Sequence, residues 1–271
     1  MLLRIKNFEV KNYLYIFTII LLAIFCFINI TSTPLRSGNT WDDANAMLRI
    51  GQLWSQGYIP FKDVFEQRGP SMYILYLIAN MISKGGYIGL FIVEIVNLLV
   101  IQFLLKKIFD IQLVNKKTSL SILGALLVPM WMVSNFTFKN GGSPEEFSIP
   151  WILISIYMIQ SFFKNQKYSH FFLVGVSFAW VFNMKYSLIG PWIALAIIIL
   201  FKIFVSQDLK RACKTIGKIL IWSVLGTLTV FLPMLGYFAY VGGIKKYFEV
   251  YFVTNLTSYT KETLPIFSHF L

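Results

Sequence analysis

The residues able to do chemistry are few and clustered. Asp42, Asp43, Asp63 and Glu66 fall in one polar stretch, and Glu145 and Glu146 in a second. A carboxylate beside a bilayer can take a proton from an alcohol or hold a cation. Two acidic stretches meeting on one face could build one site. The same residues have a plainer use. Asp42 or Asp43 could cap a helix over 44–55, where a carboxylate favours the amino end. Asp63 and Glu66 could simply be solvated.

The elements that must position them are set by composition. The chain has 271 residues, 57% hydrophobic and 13% charged, with 26 Phe and 14 Tyr. Its mean hydropathy is +0.67. Soluble domains carry about 25% charged residues. A soluble enzyme, a disordered chain and a disulfide-stapled secreted domain are thereby excluded. Long apolar runs cross bilayers as helices. They lie at 13–30, 86–105, 119–138, 147–163, 170–184, 189–205 and 219–240. A shorter run over 71–82 would rise only about 18 Å, too little for a hydrocarbon core of about 30 Å. The expectation is an all-α membrane protein of about seven spanning helices, with interfacial helices in a first outer loop. That loop covers 31–85 within a polytopic domain, 1–240; an aromatic outer-face tail, 241–271, follows.

Charge supports this topology. If 71–82 stays on one side, Arg4, Lys6, Lys11, Lys106, Lys107, Lys116, Lys117, Lys164, Lys167, Lys202, Lys210, Arg211, Lys214 and Lys218 all face inward. Short cytoplasmic loops collect Lys and Arg in this way. Asp42, Asp43, Asp63, Glu66, Glu145, Glu146, Glu249 and Glu262 then face outward. The net charge of +12 is therefore read as orientation, not as nucleic-acid binding. The amino terminus is expected in the cytoplasm of a multi-pass cell-membrane protein. Cys26 in an apolar run and Cys213 in a basic loop are not expected to pair.

Two motifs carry a resemblance. The first is Asp43, Gly51 eight residues on, then Gly57-Tyr58-Ile59-Pro60-Phe61-Lys62-Asp63-Val64-Phe65-Glu66-Gln67-Arg68-Gly69-Pro70-Ser71. The second is Gly141-Gly142-Ser143-Pro144-Glu145-Glu146-Phe147-Ser148-Ile149-Pro150. Together they resemble the outer loops of bacterial GT-C integral-membrane glycosyltransferases, relatives of protein O-mannosyltransferases and aminoarabinose transferases. Phe61 stands where that family usually has Tyr, Ser71 where it has an apolar residue, and Ser143 where it has Asn.

The resemblance implies a sugar transfer from a polyprenyl-phosphate donor to a cell-envelope acceptor at the outer membrane face. Asp43 matches the aspartate that serves as general base or positions the acceptor, and Asp42 is its neighbour. Arg68 matches the basic residue that meets the donor phosphate. Glu145 or Glu146 would line the sugar or acceptor pocket, or hold a divalent metal. Glu66 is carried along as a substrate-binding residue, and Lys185, at an outer helix end, would reach the donor phosphate or snorkel. Relatives continue for several more helices, so the resemblance implies the amino-terminal part of a longer enzyme, or an inactive fragment of one. The rival readings are a transporter or flippase of lipid-linked sugar, with Glu94 and Lys185 as pathway charges, and a non-catalytic membrane partner. His170 and His269 have no ligand spacing.

Overall fold

The computed structural model describes residues 2–36, 38–113, 118–134, 138 and 140–257, with side chains for those from 12 onward except 118. Glu262, His269 and the rest of 258–271 lie outside the described residues, as do Lys116, Lys117 and Lys139. The described residues form helices and no strand beyond one bridge between Pro60 and Val64. In order they are α1 (Leu2–Asn29), α2 (Asp42–Ser55), α3 (Pro70–Ile82), α4 (Tyr87–Gln112) and α5 (Thr118–Ser134). Then come α6 (Pro144–Asn165), α7 (His170–Phe182), α8 (Gly190–Ser206, after a 3₁₀ turn Tyr186–Ile189), α9 (Leu209–Tyr240) and α10 (Ile244–Phe248). A π-helical stretch, Glu249–Thr254, continues α10.

Five segments are long and apolar enough to cross a membrane: Asn12–Asn29, Tyr87–Gln112, Pro144–Asn165, Tyr186–Ser206 and Leu209–Tyr240. The remaining apolar helices, α3, α7 and Ser119–Ser134 of α5, are shorter. The exposed faces of α8 and α9 carry Ile193, Ile197, Phe201, Phe204, Leu220, Ile221 and Val224. No water-soluble surface looks like this; a lipid-facing one does.

The helices run up and down, so their ends gather at two opposite poles. At one pole α1 ends where Thr31 donates to the Asn140 carbonyl, just before α6. At the same pole α4 begins, its Tyr87 hydroxyl donating to Asn45 of α2 at 2.7 Å. There too α9 ends, with Tyr237 accepting from the Trp54 indole of α2 at 2.7 Å. The α6–α7 and α8–α9 turns, near Gln166 and Gln207, occupy the other pole.

Both ends of α3 touch the first pole. Ser71 at its start donates its N–H to the Asn183 carbonyl at 3.0 Å. Asn80 near its end donates to the Ser55 hydroxyl at 2.9 Å. It starts sharply because Pro70 occupies its first position, where a missing N–H costs nothing.

α7 and α9 are pressed backbone to backbone. A Cβ on Gly175 would overlap the Ser223 carbonyl, and one on Gly226 would overlap the Phe172 carbonyl. Small residues permit such approach where lipid offers no hydrophobic drive. Gly217, by contrast, faces open space. Gly226→Ala should therefore lower stability by about 1–3 kcal/mol through overpacking. Gly217→Ala should be neutral or mildly stabilising, since Ala is the better helix former. Thermal unfolding of both variants in detergent checks this; equal behaviour would contradict the close crossing.

Candidate functional site

Asp42 and Asp43 open α2, but neither is its N-cap. That place is held by Trp41, with no side-chain cap bond, while Asn39 accepts the Trp41 N–H at 2.9 Å. The two aspartates sit in the first turn, at the positive end of the helix dipole. Asp42 is exposed and makes no ion pair among the described residues. Asp43 accepts from Arg68 Nη2 at 2.5 Å, its side chain still 49% exposed.

Arg68 stands in the Gln67–Ser71 turn, and this turn is anchored through its backbone. Gly69 N–H donates to the Met184 carbonyl at 3.0 Å, beside the Ser71–Asn183 bond. Any Cβ on Gly69 would strike the Asn183 carbonyl and the Tyr251 ring, so only glycine fits. The Arg68 guanidinium is mostly buried and approaches Glu66 at 3.6 Å. Its Nε–H is buried with no partner. Glu66 also accepts the Arg68 backbone N–H at 3.3 Å, and its carbonyl accepts from Tyr73 at 2.8 Å.

The second motif divides its labour. Ser143 caps α6 by accepting the Glu146 N–H at 3.0 Å, and Glu146 accepts the Gly142 N–H at 2.9 Å. This is close to a capping box. Glu146 is thus turned inward and buried, whereas Glu145 turns outward to Lys185 at 2.5 Å. Gly141 and Gly142 both have positive φ, 70° and 80°, conformations glycine adopts freely. Gly141 lies directly over the fully buried carboxylate of Glu94 in α4, where a Cβ would overlap its oxygens. Asn39 donates to the Asn140 carbonyl at 2.7 Å and Tyr76 to the Gly142 carbonyl at 3.0 Å. The two polar stretches are thereby stitched together.

Arg68 and Lys185 line one cavity of about 420 Å³, with Gln67, Met184, Tyr186, Ser187, Tyr251 and Asn255. Of the residues singled out by sequence, Asp43, Glu66, Arg68, Glu145 and Lys185 therefore converge. Asp42 and Glu146 stand aside. Asp63 is spent on its own turn, accepting the Ile59 N–H at 2.7 Å. Three carboxylates, Asp43, Glu66 and Glu145, surround two cations, Arg68 and Lys185, and a guanidinium and an ammonium lining one cavity suit an anionic oxygen ligand that displaces a carboxylate. Among the described residues, no three His, Cys, Asp or Glu side chains are placed to share a metal ion.

Three residues were missed by sequence reasoning. Tyr247 donates to the Asn183 side chain at 2.8 Å, Tyr251 to the Phe182 carbonyl, and Asn255 to the Gln67 carbonyl at 2.9 Å. Their spacing of four on one helix face was the available signal. Burial pushes both phenols above the usual tyrosine range, so they stay protonated donors. Glu249, on the same segment, is held below the usual carboxylate range by its bond to Lys246.

A family model matches residues 5–270 and is described as "Putative competence-induced protein Ccs4 N-terminal domain". No curated protein and no solved structure matches. The match covers nearly the whole chain, and the chain belongs to this Ccs4 N-terminal domain family.

Proposed function

We propose that the chain is a membrane glycosyltransferase of the polyprenyl-phosphate-dependent, inverting type, acting on a cell-envelope acceptor. The observation that carries this reading is the convergence of two distant acidic motifs on one cavity. Each motif reaches it through a cation, Asp43 through Arg68 and Glu145 through Lys185.

The topology we propose has seven crossings, α1 and α4 to α9, with α2 and α3 lying along the outer interface. Lys106, Lys107, Lys164, Lys167, Lys202, Lys210, Arg211, Lys214 and Lys218 cluster toward the pole away from the cavity. By the positive-inside rule that pole is cytoplasmic, and the cavity faces out. That both ends of α3 touch the cavity pole supports its not crossing. α7, though short, runs alongside α9 from pole to pole, which supports counting it as a span.

In the proposed reaction, an acceptor hydroxyl oxygen attacks the anomeric carbon of the donor sugar. Its proton passes to the Asp43 carboxylate. The bond from that carbon to the phosphate oxygen breaks, its electron pair leaves with the lipid phosphate, and configuration inverts. Arg68 and Lys185 hold the phosphate charge. Incoming phosphate competes with Asp43 for the guanidinium, which frees the carboxylate to take the proton. Glu66 and Glu145 restrain the two cations until then.

The test uses proteoliposomes holding the full chain, a radiolabelled polyprenyl-phosphate hexose and a cell-envelope extract as acceptor. Asp43→Asn should slow release of polyprenyl phosphate by about 10²–10⁴-fold, the usual worth of a general base. Undiminished release would remove Asp43 from that role. Arg68→Ala and Lys185→Ala should each weaken binding of a fluorescent polyprenyl phosphate about tenfold or more, as expected for lost charge-assisted bonds. Unchanged affinity in both would remove the cavity from the donor site.

A further inference from the structure

Along the lipid-facing side of the bundle, an apolar groove opens between α8 and α9, running from Trp192 to Ile203 on α8. It has a volume of about 200 Å³ and is lined by Leu195, Ala196, Ile199, Ile203, Ile219 and Leu220, among others, with Phe171 and Val174 of α7 at its floor. α9 packs along α7 far more closely than along α8, which leaves the groove unfilled.

Two ammonium groups are held at the end of the bundle where α8 ends and α9 begins, the end toward which this groove runs. Lys202 Nζ sits 4.7 Å from the Phe163 ring centroid, and Lys218 Nζ sits 4.8 Å from that of Tyr168. Both rings contact Phe162, at 5.4 and 5.3 Å between centroids. One aromatic patch on the α6–α7 turn therefore gathers both cations. Each lysine adjoins groove-lining residues on its own helix: Ile203 beside Lys202, Ile219 beside Lys218. Neither makes an ion pair among the described residues; the nearby acid, Asp208, is paired with Arg211 at 3.3 Å. Cation–π contact orients an ammonium group but leaves its charge uncompensated.

We infer that this groove binds an anionic glycerophospholipid, one acyl chain between α8 and α9 and the phosphodiester between Lys202 and Lys218. Charge complementarity selects this occupant. A lysine ammonium acts as a point charge for phosphate, each basic residue near an anionic surface strengthens attachment, and the apolar walls accept only a hydrocarbon chain. The inference does not depend on the proposed transferase activity, since it shares no residue with the candidate site and its two lysines lie at the opposite pole.

Native mass spectrometry of the detergent-purified full chain, titrated with phosphatidylglycerol or phosphatidylcholine of identical acyl chains, tests it. The wild type should retain phosphatidylglycerol about tenfold or more over phosphatidylcholine. Lys202→Gln with Lys218→Gln should bring the ratio near one. Lys202→Arg with Lys218→Arg should keep it, and so should Lys210→Gln with Lys214→Gln. Ala196→Trp, which fills the groove, should lose the bound lipid with the lysines intact, while thermal unfolding shows the fold retained. Equal retention of both lipids by the wild type would overturn the proposal, as would a full preference in the Lys202/Lys218 glutamine variant. Displacement by inorganic phosphate at matched concentration would show a phosphate site and overturn the acyl-chain half.

Discussion

Backbone polar groups in or beside a bilayer must find partners within the protein, since each one left bare costs several kcal/mol. The segment around Gly69 meets this constraint by donating the Gly69 and Ser71 N–H groups to the carbonyls of Met184 and Asn183, just past the end of α7. The N–H groups that the start of α3 cannot use within its own helix are thus satisfied by the turn after α7. Those bonds bring Arg68 beside Lys185 in one cavity lining, and they form only because Gly69 has no side chain to push its backbone off the Asn183 carbonyl. Tyr247, Tyr251 and Asn255 close over the same junction.

Electrostatics at the junction is balanced locally. Arg68 and Lys185 each keep an acid at 2.5 Å, so the cavity is lined by cations already in partnership. Partly exposed pairs of this kind contribute only about 0–1 kcal/mol. They are weak enough to exchange for a stronger anion, and their value lies in placement. The Lys202 and Lys218 groups at the other pole differ in resting on aromatic rings with no acid attached.

The all-helical fold and its apolar faces were legible because a bilayer imposes length and composition directly. The two motifs were legible as polar stretches because their glycines, prolines and acids stand out between apolar runs. Their assembly was not. Glu145 and Glu146 read alike in the sequence, yet residues one apart on a helix point about 100° apart. Only the phase set by Ser143 and Gly142 decides that Glu145 faces the cavity and Glu146 the interior. Asp42 and Asp43 divide in the same way. Trp41 as helix cap was hidden because a propensity scale ranks it low. The roles of Tyr247, Tyr251 and Asn255 were hidden because their partners are backbone atoms and a side chain far away in sequence. The close crossing at Gly175 and Gly226 was only half visible: Gly217 looks the same in sequence and touches nothing.

The bonds that tie the non-helical stretches at this pole together differ greatly in reach along the chain. Asn39 to Asn140 spans 101 residues, and Asn255 to Gln67 spans 188. Loop closure over such distances is paid only after the intervening helices are in place. The polar stretch after α1 therefore emerges early in synthesis but waits for the end of α9 and the turn beyond it before its last hydrogen bond can form. Until then Arg68 has Asp43 beside it but lacks the Asn255 side chain that later holds the neighbouring Gln67 carbonyl.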